Sequence, residues 1–233
     1  YEFIRNGPIH HRLPVRIVGV GGGFEYSTNG ISHYGLEDIG VMRVQPGITV
    51  VAPADSLQAR TCFRALKDIP GPVYFRIGKD DKKIVPGLDG KFSLEDIQII
   101  REGRDLLLLS MGSISPTVPG VAETLQAQGI SAAIGILSTF SPVPRQAILE
   151  LVKAFPAVVT IEAHFVNGGL GSLIAEVIAE NGIPCRLHRC GVSRQPDGRT
   201  GNLDFMHSQY NLSSEAIVQA CQELLVQTEK NQS

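Results

Sequence analysis

Short runs of apolar, mostly β-branched residues alternate along the chain with longer stretches in which apolar residues recur at helical spacing. Alternation of this kind is typical of βαβ units with a mostly parallel sheet. The apolar runs predict strands at Val15–Val20, Ile48–Ala52, Val73–Arg76, Leu106–Ser110, Ala132–Leu137, Val158–Glu162 and Cys185–His188. The uninterrupted leucines of the fourth run suit a strand that is covered on both faces.

The stretches between these runs predict helices. Asp55 is suited to begin a helix that continues to about Lys67, because its carboxylate accepts the free amide hydrogens of a first turn. Ser213 is suited to begin the last helix, which we expect to end near Val226. Apolar spacing predicts the remaining helices at Val118–Gln128, Arg145–Ala154 and Leu170–Asn181.

Two polar segments divide the chain. Gly78–Asp89 is rich in Gly, Pro, Lys and Asp, and predicts a linker. We therefore expect an α/β protein with two consecutive three-layer units, at residues 1–88 and 89–233, each with a mostly parallel sheet. The first unit has room for about three strands, so we expect it to be incomplete. Gly191–Leu212 is a second long polar segment, and a loop of that length is usually functional or lies at an interface.

Composition and charge disfavour several classes of protein. The 233 residues are 43% hydrophobic, and 21 Lys and Arg nearly balance 23 Asp and Glu. No basic block indicates nucleic-acid binding, and no apolar run approaches the roughly 20 residues of a membrane span. The N-terminus lacks the pattern of a secretory signal. Four scattered cysteines without a CxxC pair predict buried, reduced thiols in a cytoplasmic protein.

A glycine-rich turn follows the first predicted strand. Gly19 and Gly21 resemble the start of a dinucleotide-binding fingerprint, but Phe24 stands where the third glycine belongs. Asn29 and Gly30 then predict a turn where that fingerprint requires a helix. A nicotinamide site is therefore disfavoured, and we expect these glycines to let the backbone pass close to a bulky group.

Several motifs in consistent order resemble the transketolase family. The resemblance to its pyrimidine-binding domain rests on the segment 28–46, with Ser32-His33 ahead of Leu36-Glu37-Asp38, and on segments 49–55 and 71–79. The resemblance to its C-terminal domain rests on Ile161-Glu162-Ala163-His164 and Gly168-Gly169-Leu170-Gly171. The last motif alone is weak, because deoxyxylulose phosphate synthases and 2-oxo acid dehydrogenase β subunits share it.

This resemblance implies an activity and a set of partners. Family members transfer a two-carbon ketol unit between sugars, usually sugar phosphates, with thiamine diphosphate bound between two chains. The diphosphate and its magnesium belong to another domain, so we expect a partner N-terminal subunit that carries both. The expected assembly is a homodimer or a two-plus-two heterotetramer.

The resemblance also assigns candidate site residues. His33 matches a histidine that faces the cofactor and the substrate hydroxyls, and Asn29 takes the place of an aspartate that touches one hydroxyl. Lys79 matches an arginine that binds sugar phosphate, and Tyr1 or Phe3 approaches the pyrimidine ring. From the residues alone, each has a structural alternative. The two turn residues can simply form the turn, the lysine can be a solvated charge, and the aromatic rings can be core.

Other carboxylates and histidines in these motifs are expected to be structural. Glu162 and His164 are suited to organise a strand end or a subunit contact, and Glu37 and Asp38 are suited to a first helical turn. The family's cofactor-activating glutamate would lie upstream of Tyr1, so we expect the isolated chain to be inactive. Two alternatives stay open, a deoxyxylulose phosphate synthase-like enzyme and a non-catalytic assembly or regulatory module that retains the fold.

Overall fold

Residues 1–80 and 82–229 are described by a computed structural model, which contains two sheets. In chain order the strands are β1 (Arg16–Val20), β2 (Thr49–Val51), β3 (Val73–Ile77), β4 (Gln98–Arg101), β5 (Leu106–Ser110), β6 (Ala132–Ile136), β7 (Thr139–Ser141), β8 (Ala157–Phe165) and β9 (Arg186–Val192). The first sheet has the order β1-β3-β2-β7 and the second β4-β6-β5-β8-β9. All pairs are parallel except β2–β7 and β4–β6, which confirms the predicted α/β class.

The helices follow the predicted pattern closely. They are α1 (Glu2–Ile4), α2 (Asp38–Arg43), α3 (Ser56–Leu66), α4 (Val118–Ala127), α5 (Arg145–Lys153), α6 (Leu170–Glu180), α7 (Leu203–Gln209) and α8 (Ser214–Glu229). Both predicted N-caps are confirmed. Asp55 Oδ1 accepts from the amide of Gln58 at 2.8 Å, and Ser213 Oγ accepts from the amide of Ala216 at 3.3 Å.

Four elements were not predicted from the sequence pattern, and one of them is the three-residue helix α1. The strands β4 and β7 have four and three residues, too few to show an alternating period. The helix α7 lies inside Gly191–Leu212, which composition had marked as a loop. The strand β7 belongs to the range assigned to the second unit, yet it pairs with β2 of the first sheet. The division at residues 88 and 89 stays a prediction.

The segment predicted as a linker packs against the core. In the described part of Gly78–Asp89, Val85 and Leu88 are 0% exposed and pack in the core cluster of the second sheet. The amide of Val85 also donates to Asp55 Oδ2 at 2.9 Å. The predicted linker is therefore packed against the core through these two apolar residues, and its role as the boundary between two units stays a prediction.

The two units share their interior. Phe24, Tyr34 and Leu36 lie between β1 and α2 of the first unit, yet they pack in the same cluster as the buried face of the second sheet. Arg43 on α2 forms an ion pair of 2.6 Å with Glu176 on α6. A Cβ atom at Gly40 would lie 3.3 Å from the Cα of Gly168, so the backbones of the two units approach closely there. The residues after β1 therefore depend on the second unit for their position.

The cap at Asp55 yields a stability prediction. Asp55→Ala removes both the N-cap of α3 and the acceptor for the buried amide of Val85. We expect a loss of about 2–4 kcal/mol in the free energy of unfolding, because a cap and a buried unpaired amide are lost together. Urea denaturation followed by circular dichroism measures it.

The matched control is Asp68→Ala, which removes an exposed carboxylate paired with Lys67. We expect this change to stay within about 0.5 kcal/mol. Equal losses in the two variants would show that Asp55 does not hold the segment at Val85.

Candidate functional site

A cavity of about 510 Å³ opens beyond the carboxyl ends of β1 and β3. In parallel α/β sheets this edge is where ligands bind. The turn between β1 and α2 forms one wall of the cavity, and two residues of β3 form its floor. The lining consists of Gly19, Val20, Gly21, Gly22, Tyr26, Asn29, Ser32, His33, Tyr34, Gly35, Asp38, Tyr74 and Arg76.

The glycines beside the cavity make room for large side chains, as the sequence predicts. A Cβ atom at Gly19 would lie 2.5 Å from the hydroxyl of Tyr74, and one at Gly22 would lie 2.5 Å from the guanidinium carbon of Arg76. Real Cβ contacts are not that short, so any larger residue at either position would displace β3 or its side chains. The bulky groups for which these glycines leave space are therefore side chains of the protein itself, Tyr74 and Arg76.

Arg76 joins the cavity floor to both units. Its guanidinium is 3% exposed and donates to the Asp38 carboxylate at 3.1 Å, to the carbonyl of Gly35 at 2.9 Å and to that of Ala163 at 2.8 Å. Tyr74 donates its hydroxyl to Asp38 at 2.8 Å. Burial and the nearby Asp38 charge raise the pKa of Tyr74, so it stays a hydrogen-bond donor.

Sequence reasoning missed this cluster. Asp38 does lie in the first turn of α2, but its carboxylate also binds Tyr74 and Arg76. The available signal was the spacing of Tyr74 and Arg76, since alternate residues of a strand point to the same face. The spacing alone did not identify the cluster, because the sequence does not show that β3 lies beside the turn after β1.

The turn carrying two predicted site residues faces this cavity. We call residues 27–34 the site turn. It consists of two short 3-10 turns, Ser27–Asn29 and Ile31–His33, separated by Gly30 with a φ of 91°. Asn29 and His33 are exposed on its cavity side, and the imidazole Nδ1 of His33 lies 3.2 Å from Ser32 Oγ. The structure thus brings these two candidates onto one wall.

The other predicted site residues lie elsewhere. Lys79 lines a second cavity of about 730 Å³, and Tyr26 stands between the two cavities, with the lysine Nζ 4.5 Å from its ring centroid. The backbone amide of Lys79 donates to the carboxylate of Glu25. The hydroxyl of Tyr1 accepts from Gln45, and Phe3 is 91% exposed. Neither aromatic residue lines the cavity with His33, and their predicted cofactor role stays a prediction.

Glu162 and His164 organise a strand end, as predicted. The fully buried carboxylate of Glu162 accepts from the amides of Leu170 and Gly171 at 2.7 and 2.8 Å, which begins α6. His164 Nδ1 donates to the carbonyl of Phe165 at 2.6 Å, and its Nε2 accepts from the amide of Gly40 at 3.4 Å. Burial lowers the pKa of His164 to about 4, which keeps the ring neutral for this pattern.

Burial also sets the state of the thiols and of Glu162. All four cysteines are free, and burial raises the pKa of Cys62, Cys190 and Cys221 to about 12. Burial raises the pKa of Glu162 to about 7, against the lowering effect of its two backbone amide bonds. Among residues 1–80 and 82–229 there is no group of three His, Cys, Asp or Glu placed to hold a metal ion. No helix within the same ranges is long and apolar enough to cross a membrane.

The fold and the cavity define a class, an α/β protein with a cavity at the carboxyl edge of its first, mostly parallel sheet. Two family models match, the transketolase pyrimidine-binding domain at residues 1–83 and the transketolase C-terminal domain at residues 95–217. The chain belongs to the transketolase family and comprises its C-terminal section.

Relatives named as separate subunits resemble the chain. The 6-deoxy-6-sulfo-D-fructose transketolase subunit SqwH of Clostridium sp. (strain MSTE9) is 35% identical over 91% of this chain and 65% of its own length. An apulose-4-phosphate transketolase subunit of Phocaeicola vulgatus is 32% identical over 91% and 67%. A solved structure described as a split gene transketolase, inactive beta4 tetramer, has a TM-score of 0.83 and 32% identity over 97% and 71%. The chain thus spans about two thirds of the length of these relatives.

A partly buried histidine on α7 yields a pH prediction. His207 packs against Phe24, and burial lowers its pKa to about 4 from the usual 6.5. The unfolded chain therefore takes up a proton below pH 6.5 that the folded chain refuses until about pH 4. Between pH 6.5 and 4, this difference in proton uptake lowers the free energy of unfolding by about 1.4 kcal/mol for each unit by which the pH falls. His207→Leu should remove that much of the slope, measured by urea unfolding between pH 6.5 and 4.5.

Two buried groups, His164 and Glu162, also affect how the free energy of unfolding depends on pH, but they do not confound the comparison of His207→Leu with wild type. His164 acts with the same sign, whereas the raised pKa of Glu162 makes stability fall as pH rises from about 4.5 to about 7. Both are present in wild type and in the variant, so the difference reports His207. Met206→Leu, a buried change on the same helix without a titrating group, serves as control. An unchanged slope in His207→Leu would refute the assignment.

Proposed function

We propose that the chain is the C-terminal subunit or section of a thiamine diphosphate-dependent transketolase, which transfers a two-carbon ketol unit between sugars. A partner chain or domain would hold the diphosphate and its magnesium. The observation that carries the proposal is the cavity wall on which Asn29 and His33, two residues of the family motif, lie side by side. The four free cysteines support a cytoplasmic location.

The lining fits one part of the cofactor. A volume of about 510 Å³ is in the usual range for a small-molecule site. The lining combines the exposed side chain of Val20 with aromatic and polar side chains, and the guanidinium of Arg76 is committed to Asp38 and two carbonyls. These groups suit the rings of the cofactor and the hydroxyls of a sugar, and they offer little to a diphosphate. We therefore assign the diphosphate and magnesium to the partner.

The chain's own residues would then orient the sugar and move a proton. Thiamine diphosphate, when bound, supplies the nucleophilic carbon that takes up the ketol unit. With Nδ1 of His33 near Ser32 Oγ, its Nε2 is the atom that would exchange a proton with a sugar hydroxyl. The Asn29 side chain both donates and accepts, which suits a second hydroxyl.

Lys79 is proposed to attract the anionic end of the substrate. It lines the neighbouring cavity, with its Nζ 4.5 Å from the centroid of the Tyr26 ring, and Tyr26 lines the cavity that contains His33. The relatives from Clostridium and Phocaeicola are named for a sulfonated and a phosphorylated sugar. A lysine provides a point charge for such a group, without the bidentate geometry of arginine.

Assembly follows from the same proposal. We expect a homodimer or a two-plus-two complex, and an isolated chain without activity. The structural relative described as an inactive beta4 tetramer supports oligomerisation and inactivity, whereas the dimeric or two-plus-two stoichiometry stays a prediction. In the complete assembly, ketol transfer between sugars distinguishes this function from a synthase that consumes pyruvate. A complete assembly that binds no thiamine diphosphate would favour a non-catalytic module.

The first test of the site is His33→Ala in the full-length natural subunit combined with its partner. We expect turnover to fall by about 10²–10⁴-fold, the range for a positioned acid–base group. The melting temperature should change little, because the ring lies exposed on the cavity wall. The control is His188→Ala, which removes an exposed histidine from β9 and should leave turnover unchanged. A lowered melting temperature with an unchanged rate would make His33 a structural residue.

The second test separates the two ends of the substrate. Lys79→Ala should raise KM for a phosphorylated sugar by about tenfold, and should leave KM for its unphosphorylated analogue nearly unchanged. The rate at saturation should stay close to wild type, since Lys79 lies in the second cavity. Lys153→Ala, on the exposed end of α5, is the matched control. Equal changes in KM for both sugars would contradict a role in binding phosphate.

A further inference from the structure

A segment of the second unit lies across the site turn. We call residues 194–201 the strap. Ser27, which is 2% exposed, donates its hydroxyl to the carbonyl of Gly201 at 2.7 Å. Tyr34, which is 8% exposed, donates its hydroxyl to the carbonyl of Arg199 at 2.8 Å. These donors are the first and last residues of the site turn, so the strap holds both of its ends.

The strap is itself held in place by the second unit. Arg199 donates to the side chain of Gln209 at 2.9 Å, and Arg194 donates to the backbone carbonyl of Gln209 at 3.2 Å. Asp197 lies between these two arginines, with ion pairs of 3.1 Å to Arg199 and 3.7 Å to Arg194. The carbonyls that receive Ser27 and Tyr34 are therefore fixed relative to the end of α7.

An aromatic cluster joins the same two parts. Phe24 is fully buried, lies edge-on to Tyr34 at a centroid distance of 5.2 Å, and stacks on Tyr210 at 4.9 Å. The guanidinium of Arg194 lies 5.1 Å from the centroid of the Tyr210 ring. Tyr34 is thus packed on one side and hydrogen-bonded at its tip, which leaves its backbone little freedom.

We propose that the strap is a positioning element for the active site, through which the second unit sets the placement of Asn29 and His33. Between its two ends, the site turn consists of two 3-10 turns and Gly30, whose φ of 91° is a conformation that glycine adopts readily. Backbone hydrogen bonds of 2.9–3.2 Å close each short turn, but among the described residues none joins Ser27–Asn29 to Ile31–His33. The placement of the two turns relative to each other and to the cavity is therefore set where the ends of the site turn are anchored. The catalytic consequence rests on the function proposed above, whereas the structural one does not.

This role explains the long polar segment that the sequence singles out. Gly191–Leu212 contains the end of β9, the strap and α7. Its polar residues serve to hold the strap, and its backbone carbonyls serve as acceptors for the site turn. Ser27 and Tyr34 are positioning residues in this scheme, since the proposal requires no contact between either hydroxyl and the substrate.

The experiment uses the full-length natural subunit and two substitutions that remove the hydroxyls, Ser27→Ala and Tyr34→Phe. Amide hydrogen–deuterium exchange is measured without ligand on peptides that cover residues 27–34. We expect exchange there to become about three- to tenfold faster in each variant, because one anchoring hydrogen bond is lost. Exchange in α6 should stay at the wild-type rate.

Each substitution has a matched control. Tyr210→Phe removes a hydroxyl from the same aromatic cluster, and within the described residues that hydroxyl makes no hydrogen bond to the strap. Thr124→Ala removes a bond of 3.0 Å from a hydroxyl to the carbonyl of Gly120, far from the cavity on α4. Neither control should change exchange in residues 27–34. If exchange in residues 27–34 stayed at the wild-type rate in both Ser27→Ala and Tyr34→Phe, the proposal that the strap holds the site turn would be refuted.

The catalytic readout is made on the complete assembly. With positioning lost, Tyr34→Phe should lower kcat by about 10- to 100-fold while KM stays within about twofold, since orientation of the reacting groups is affected more than binding. Faster exchange with wild-type kcat would overturn the positioning role. An inactive wild-type assembly would refute the proposed function instead, and the exchange experiment would still decide whether the strap holds the turn.

Discussion

The buried guanidinium of Arg76 is the interaction on which the arrangement of the cavity depends. Taking an arginine out of water costs several kcal/mol unless its donors are paired with good geometry. Arg76 meets this condition only when β3, the start of α2 and the end of β8 are all in place, since its acceptors are Asp38, Gly35 and Ala163. The floor of the cavity and part of the contact between the two units therefore share this one buried guanidinium.

The same dependence extends along the glycine turn and over the site turn. Gly22 leaves the space that the Arg76 guanidinium occupies, and Phe24 then enters the core of the second sheet. Ser27 and Tyr34 are hydrogen-bonded to a segment more than 160 residues away in the chain. The second unit thus contributes the surroundings of the site turn, although the motif residues Asn29 and His33 belong to the first unit.

Local patterns were sufficient for most of the fold. The leucine run of β5 and the carboxylate of Asp55 could be interpreted without tertiary information, because burial on both faces and capping each leave a local signal. By contrast, the three residues of β7 have no period of their own and become a strand only beside β2. The cavity shows the same limit. Motif order pointed to His33, but nothing local in the sequence identifies the partners of Arg76, which come from two segments, residues 35–38 and Ala163, that lie on either side of β3 in the chain.

Burial decides which histidines are available for chemistry near neutral pH. His164 is fully buried and His207 partly buried, and burial lowers the pKa of each to about 4, so each ring stays neutral and does not take up a proton at pH 7. His164 is also engaged through both nitrogens, one to the carbonyl of Phe165 and one to the amide of Gly40. His33 differs in exposure, since its ring lies exposed on a cavity wall and its polar neighbour is the hydroxyl of Ser32.

A general acid or base must reach both substrate and solvent, and of these three histidines only His33 is placed to do so. The geometry therefore favours His33 independently of the motif that first drew attention to it.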